Sequence, residues 1–259
     1  MDRKQIAYGV AFSLLGICSY APAHASSMTA DFFTLSSSNP DVEEDIPGVT
    51  TGLVENSLGP NGLPVLSPTD HTTYSPGSSN YINDINPVTG EILWWTPSST
   101  VTADAQNVIV NLPYDQVLYP NGTGVPNAFG SDGGSNGYTS AILSGTFNLA
   151  SPGTITMSLG SDDDAWVFVN GNLVDDNGGV HGFSDVPFDV STGLNAGINT
   201  VDVFFADRHT TGSQLAFDAD VTISPTSVPE PSSLPMLLAG LGLIGGSVYF
   251  GRRKPKATA

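Results

Sequence analysis

The sequence predicts an all-β chain, an antiparallel β-sandwich with long loops, on three observations. Aromatic and aliphatic residues recur in short runs, many of them alternating with polar residues. Pro, Gly, Asn and Ser cluster between the runs. Between residues 26 and 228 no segment sustains helical periodicity, so helix is expected only at the two ends, as an N-terminal signal helix and a C-terminal hydrophobic helix.

The N-terminal element spans 1–25. Asp2-Arg3-Lys4 supplies a basic flank, Ile6 to Ile17 an apolar core, and Ala23-His24-Ala25 a small-x-small site, the pattern of a secretory signal peptide cleaved after Ala25. Cys18, the only cysteine, lies inside this segment, and bulky Ile17 before it argues against a lipid-acceptor site. The exported chain therefore has neither disulfides nor thiol chemistry.

The sandwich is expected over 28–223. Met28 to Leu35 reads as its opening strand. From Ser36 to Gly90 the chain is rich in Pro, Asn, Ser and Gly, with isolated apolar pairs at Leu53-Val54 and Leu63 to Leu66, and is expected to wrap the fold with one or two short strands. Glu91 to Trp95 and Asn107 to Leu112 read as strands ended by Pro97 and Pro113. Tyr138 to Leu149 alternates, but Phe147 and Leu149 fall on the other parity, which marks a bulge or a register change near Gly145. Thr154 to Leu159 is expected to pair with it through a Ser151-Pro152-Gly153 turn. Ala165 to Val169 and Asn172 to Asp175 form a hairpin about Asn170-Gly171, because that pair tolerates the positive φ of a type I′ turn. Trp166 and Phe168 share a parity and are assigned to the core. Val186 to Val190, Ile198 to Phe205 and Leu215 to Ile223 complete the set.

A linker over 224–231 holds Pro229, Glu230 and Pro231. An apolar segment follows at 232–250, near the lower length limit for a membrane span, and then a basic tail at 251–259 with Arg252-Arg253-Lys254 and Lys256. Those basic residues would remain cytoplasmic, leaving the rest of the chain outside. The alternative, a buried C-terminal helix, does not explain why basic residues gather at the two ends.

Charge narrows the function. Of 7 Lys and Arg, only Arg208 lies between residues 26 and 228, against 23 Asp and Glu, a formal charge of −22. Such a region repels nucleic acid and anionic lipid and suits divalent cations or neutral ligands. Ser161-Asp162-Asp163-Asp164 stands between two strands, and adjacent carboxylates repel unless a cation or donors offset them. Calcium, a hard ion taking six to eight oxygens, fits Asp162 and Asp163, with Asp164, Asp175 and Asp176 as lesser helpers; a solvated acidic turn is the alternative. Arg208 is expected to pair with Asp207, Asp175 or Asp176, or else to orient an acidic or hydroxyl-rich ligand. His181 and His209 lack a third soft ligand for zinc. A Gly-rich phosphate-loop motif is absent.

The residues over 161–171, Ser-Asp-Asp-Asp-Ala-Trp-Val-Phe-Val-Asn-Gly, with Leu173-Val174-Asp175, Gly178 to Gly182, Phe204 to Ser213 and the opening Asp31-Phe32-Phe33, resemble the fibro-slime domain. That family is similar to the β-sandwich of the anthrax protective antigen's N-terminal module and to yeast adhesin lectins. In calcium-dependent members two consecutive aspartates joined by a cis peptide bind calcium, which holds sugar hydroxyls; the resemblance places that pair at Asp162 and Asp163. The tail resembles the PEP-CTERM sorting signal, which implies processing by an exosortase in Gram-negative bacteria that build biofilm, with Glu230 in the recognition motif.

The resulting expectation is a non-enzymatic protein exported across the inner membrane to the cell surface or extracellular matrix. It has no catalytic residues, binds calcium and a surface or matrix polysaccharide, and is held at the membrane by its C-terminal segment before processing. A purely structural matrix or adhesion component and a glycoside-processing enzyme are the alternatives. The latter would need carboxylates on opposite sides of a cleft.

Overall fold

The computed structural model of the chain describes residues 26–42, 45–122 and 124–226. The signal segment with Ala25, the Pro229-Glu230-Pro231 motif, the hydrophobic segment and the basic tail lie outside the described residues. Among the described residues no helix is long and apolar enough to cross a membrane.

The chain runs β1 (Ser27–Leu35), β2 (Val54–Leu58), β3 (Pro64–Leu66), the one-turn helix α1 (Asp70–Thr73), β4 (Val101–Ala103), β5 (Val108–Asn111), β6 (Tyr114–Val117) and β7 (Tyr138–Leu149). It continues through β8 (Ile155–Asp162), β9 (Asp164–Val169), β10 (Asn172–Asn177), β11 (Ser184–Val190), β12 (Gly197–Ala206), β13 (Gln214–Ala219) and β14 (Ser224–Pro225). The larger sheet has the order β3-β2-β10-β9-β12-β7-β1-β4, with β5 also on β1 and β14 on β7. The smaller has the order β11-β8-β13-β6. The two sheets form the antiparallel sandwich that the alternating runs predict.

Side-chain alternation divides the core into two layers. Ala141, Leu143 and Phe147 of β7, Val167 and Val169 of β9, and Val203 and Phe205 of β12 face Met157 and Leu159 of β8 and Phe217 of β13 between the sheets. The opposite face of the larger sheet carries Phe33, Trp166, Phe168 and Phe204, covered by Leu53, Ile82, Ile92, Trp94 and Trp95 from the long segment before β4. Both faces of the larger sheet are thus buried, which is why all six residues of β9 are buried. Each such large side chain contributes about 1.5–3 kcal/mol of burial. Trp94 stacks on Trp166 at 6.0 Å and Trp95 meets Phe204 edge-on at 5.1 Å. The wrapping segment is therefore an aromatic cover.

The two-faced burial also corrects the expected bulge. The register between β7 and β12 runs unbroken from Leu149 opposite Gly197 to Ser140 opposite Ala206. Ile142 packs under the cover while Phe147 packs between the sheets, so both parities carry apolar residues without a slip. The turn at 151–153 is a crossover between sheets, because β8 pairs with β11 and β13 and not with β7. Glu91 to Trp95 is no strand: it makes isolated bridges at Glu91 and Ile92. Its indoles are buried, with Trp94 Nε1 donating to Asp41 Oδ2 at 2.9 Å and Trp95 Nε1 to the Phe205 carbonyl at 3.0 Å. β4 and β6 were not legible as strands. The hairpin between β9 and β10 turns as expected, with φ of 51° at Asn170 and 74° at Gly171.

Candidate functional site

Asp162 ends β8 in the smaller sheet and Asp164 begins β9 in the larger one, so the chain changes sheets at Asp163. The peptide between Asp162 and Asp163 is cis. Strand register decides what else arrives there. Asp164 lies opposite Ala206, and Ala206 opposite Ser140. Asp162 lies opposite Gln214, and Ser161 opposite Ser184. The loops before β7, before β11 and between β12 and β13 therefore open at the same end as the acidic turn.

Each loop delivers polar groups. Asp163 is buried; its Oδ1 accepts the His181 N–H at 3.0 Å and its Oδ2 the Arg208 N–H at 2.8 Å. Burial, and then the Asp164 charge, pushes its carboxyl up to about 8. Asp162 is also raised by burial, while His181, the Phe183 amide and His209 oppose the shift. Gly212, at φ 105°, stands against the Asp162 carboxylate, where a Cβ would collide with it.

Asp207 is fully buried. Its Oδ1 accepts the His209 N–H at 3.2 Å, and its Oδ2 has no hydrogen-bond partner. Burial raises it well above the carboxylate range, followed by the charges of Asp163 and Asp132. Asp132, from the loop before β7, likewise buries an unpartnered Oδ2 and is raised by burial, with Asp162 adding to the shift. The Tyr119 phenol is raised by burial and then by Asp132, Asp207 and Asp162. Four carboxylates, Asp132, Asp162, Asp163 and Asp207, thus act on one another at one loop end. Among the described residues, no group of three or more His, Cys, Asp or Glu side chains is placed to hold a metal ion.

The other acidic residues do different work. Asp164 gives Oδ2 to Arg208 Nε at 2.8 Å and Oδ1 to the Gly179 N–H at 2.5 Å. Asp176 gives Oδ1 to Trp166 Nε1 at 2.8 Å and Oδ2 to the Gly52 N–H at 2.7 Å. Both spend their oxygens on protein donors, as Asp163 does. Asp175 lies opposite Val167 on β10, pushed up to about 6 by burial and then by Asp176. Arg208 pairs with Asp164 and not with Asp207, Asp175 or Asp176. Its guanidinium also donates to the Ser79 carbonyl at 2.6 Å and lies 4.9 Å from the Trp94 ring centroid. The His181 ring nitrogens face the carbonyls of Gly182 and Asn177, and His209 Nδ1 faces Thr211 Oγ1.

Asp132, Asp207 as an acidic partner, Tyr119 and Phe183 were not singled out from the sequence. The one local signal is the Gly-rich run Ser131-Asp132-Gly133-Gly134, where Gly133 at φ 77° leaves the space that Thr210 fills.

Comparison with known proteins agrees on the central strands and on the tail. A profile of the PA14 domain matches residues 125–222, which hold β7 to β13 and most of the acidic site. A profile of the PEP-CTERM protein-sorting motif matches residues 227–254. Among curated proteins, psiQ of Dictyostelium discoideum is 28% identical over 199 residues, 73% of this chain and 20% of psiQ. The psiF protein of the same organism is 25% identical over 249 residues, 82% of this chain and 34% of psiF. The chain therefore spans about a fifth to a third of the length of these relatives. Among solved structures, a PA14 sugar-binding domain from an RTX adhesin is 11% identical with a TM-score of 0.34, covering 76% of this chain and 90% of that one. The PA14 domain of the MpAFP antifreeze protein is 22% identical with a TM-score of 0.28, covering 38% and 58%. The GH31 α-xylosidase of Xanthomonas citri is 23% identical with a TM-score of 0.27, covering 38% and 10%. Residues 125–222 are thus similar to the PA14 domain, and residues 227–254 to the PEP-CTERM protein-sorting motif.

Proposed function

We propose that the chain is a non-enzymatic, exported surface or extracellular-matrix protein of a Gram-negative bacterium. Its sandwich binds calcium at Asp162 and Asp163 and, through the ion, the hydroxyls of a surface or matrix polysaccharide. The observation that carries this reading is the unpartnered Oδ2 of Asp207, wholly buried in the field of Asp163 and Asp132. A buried acceptor without a donor is costly, and a cation at that loop end offsets the cost for all four carboxylates at once. The donor set is all hard oxygen, which suits calcium and not zinc. Asp162 and Asp163 would hold the ion, with Asp207 and Asp132 contributing the oxygens that lack partners. When bound, the ion supplies open coordination positions for vicinal hydroxyls.

The PA14 and sorting matches support the surface assignment. The domain is of the fibro-slime type on the motif residues at 161–171, 178–182 and 204–213. An exosortase is the processing partner implied by Pro229, Glu230 and Pro231. A second reading, a structural matrix component without a small ligand, is favoured by one fact: both oxygens of Asp163 already accept backbone N–H groups.

Calorimetric titration of calcium into the full chain separates the two. Stoichiometric binding that the Asp162→Asn, Asp163→Asn pair abolishes is the expected result. No heat, and no rise in melting temperature with calcium, overturns the ion site and leaves the structural reading.

A further inference from the structure

We propose that Phe183 is the stacking platform of the carbohydrate site and selects a neutral pyranose that offers one C–H face to the ring and vicinal hydroxyls to the ion. The inference rests on the calcium and carbohydrate reading above and adds to it the class of sugar and the residue that orients it.

The large aromatic side chains exposed among the described residues are Phe129, at 89%, and Phe183, at 42%. They differ in how they are held. Phe183 immediately precedes β11, whose Ser184 pairs with Ser161, so the residue is fixed beside the end of β8. Its backbone amide lies against the Asp162 carboxylate. Its ring rests on Gly160: Cζ lies 2.7 Å and Cε2 3.0 Å from the point where a Cβ would stand. The bare backbone of Gly160 is what lets an aromatic ring lie there, and a side chain at that position would push it off. The Cζ and Cε2 atoms of Phe183 are thus seated on β8 while part of the ring stays in water, one strand end away from the carboxylate of Asp162. Phe129 has no such seat.

An exposed, pre-seated aromatic ring next to a cluster of hard oxygen donors matches the two chemistries of a pyranose. The sugar presents C–H bonds on its ring face and paired hydroxyls at its edge, and binding sites join an apolar surface to a few placed polar groups in this way. The formal charge of −22 between residues 26 and 228 further rejects uronic acids and other anionic sugars, leaving neutral ones.

The test uses the full chain and methyl pyranosides of the gluco, galacto, manno and fuco series, with methyl glucuronide for comparison. Binding is followed by saturation-transfer NMR in calcium and in EDTA. At least one neutral pyranoside is expected to bind in calcium, with saturation strongest on the protons of one ring face. Phe183→Ala is expected to weaken it by about tenfold with calcium affinity unchanged, and Phe183→Trp to retain it. Binding within twofold of wild type in Phe183→Ala, a loss that follows Phe129→Ala instead, or no neutral pyranoside bound in calcium each overturns the platform. Binding that needs Phe183 but persists in EDTA keeps the platform and overturns the calcium reading.

Discussion

Arg208 is the one cation between residues 26 and 228, and it is fully buried. Its position explains how a single residue can tie three parts of the fold together. The backbone N–H holds Asp163, the Nε holds Asp164, and the Nη1 reaches the Ser79 carbonyl in the aromatic cover. Removing it leaves Asp164 as a buried, unpaired carboxylate, which typically costs about 3–5 kcal/mol. Arg208→Met should therefore destabilise the chain by that order in urea denaturation. Adding Asp164→Leu should recover part of the loss, since a buried ion pair replaced by apolar residues is often neutral. A single variant as stable as wild type would show that the pair contributes nothing. The partner could not be read from the sequence, where Asp207, Asp175 and Asp176 stand closer in number or motif. It follows from register: Ala206 lies opposite Asp164, and two residues further on the Arg208 side chain reaches back to it.

At the scale of elements, legibility followed the range of the interaction. The β9–β10 hairpin was readable because Asn170-Gly171 carries its own backbone requirement, and Trp166 and Phe168 because parity alone puts them on one face. Glu91 to Trp95 misled because its apolar density comes from indoles that fill a cover, not from a ladder. Asp132 and Asp207 were missed as companions of Asp162 because only the strand order β9-β12-β7 brings their loops together.

The cover itself has a pH signature. In α1, Asp70 is buried and pushed up to about 6, chiefly by burial and secondarily by Asp41, while His71, the Ile82 backbone and Arg208 oppose the shift. A carboxyl raised in the folded state above its unfolded value of about 3.9 binds more protons folded than unfolded, so its contribution falls as pH rises from about 4 to 6. Asp70→Asn should stabilise the chain, and the gain should grow by about 1 kcal/mol between pH 5 and pH 7. Urea denaturation at both pH values checks this; a gain that does not change with pH would remove Asp70 as its source.

For the molecule as a whole, the dominant fact is a field of one sign. Self-repulsion among 23 acidic groups opposes the compact state, and simple salt relieves it as the Debye length falls from about 30 Å at 0.01 M to about 8 Å at 0.15 M. Sodium chloride should therefore raise the melting temperature without any specific site. The proposed calcium site would add a different term. An ion bound only by the folded chain stabilises it by about 2.7 kcal/mol at a hundredfold excess over its dissociation constant, at any ionic strength. At matched ionic strength calcium should then raise the melting temperature beyond both sodium and magnesium, since magnesium gives up its water reluctantly and suits a looser oxygen cage poorly. The excess should vanish in the Asp162→Asn, Asp163→Asn chain while the sodium response remains. Equal shifts for the two divalent ions, unchanged by those substitutions, would mean that screening over the whole acidic surface accounts for the effect and that the loop end holds no ion of its own.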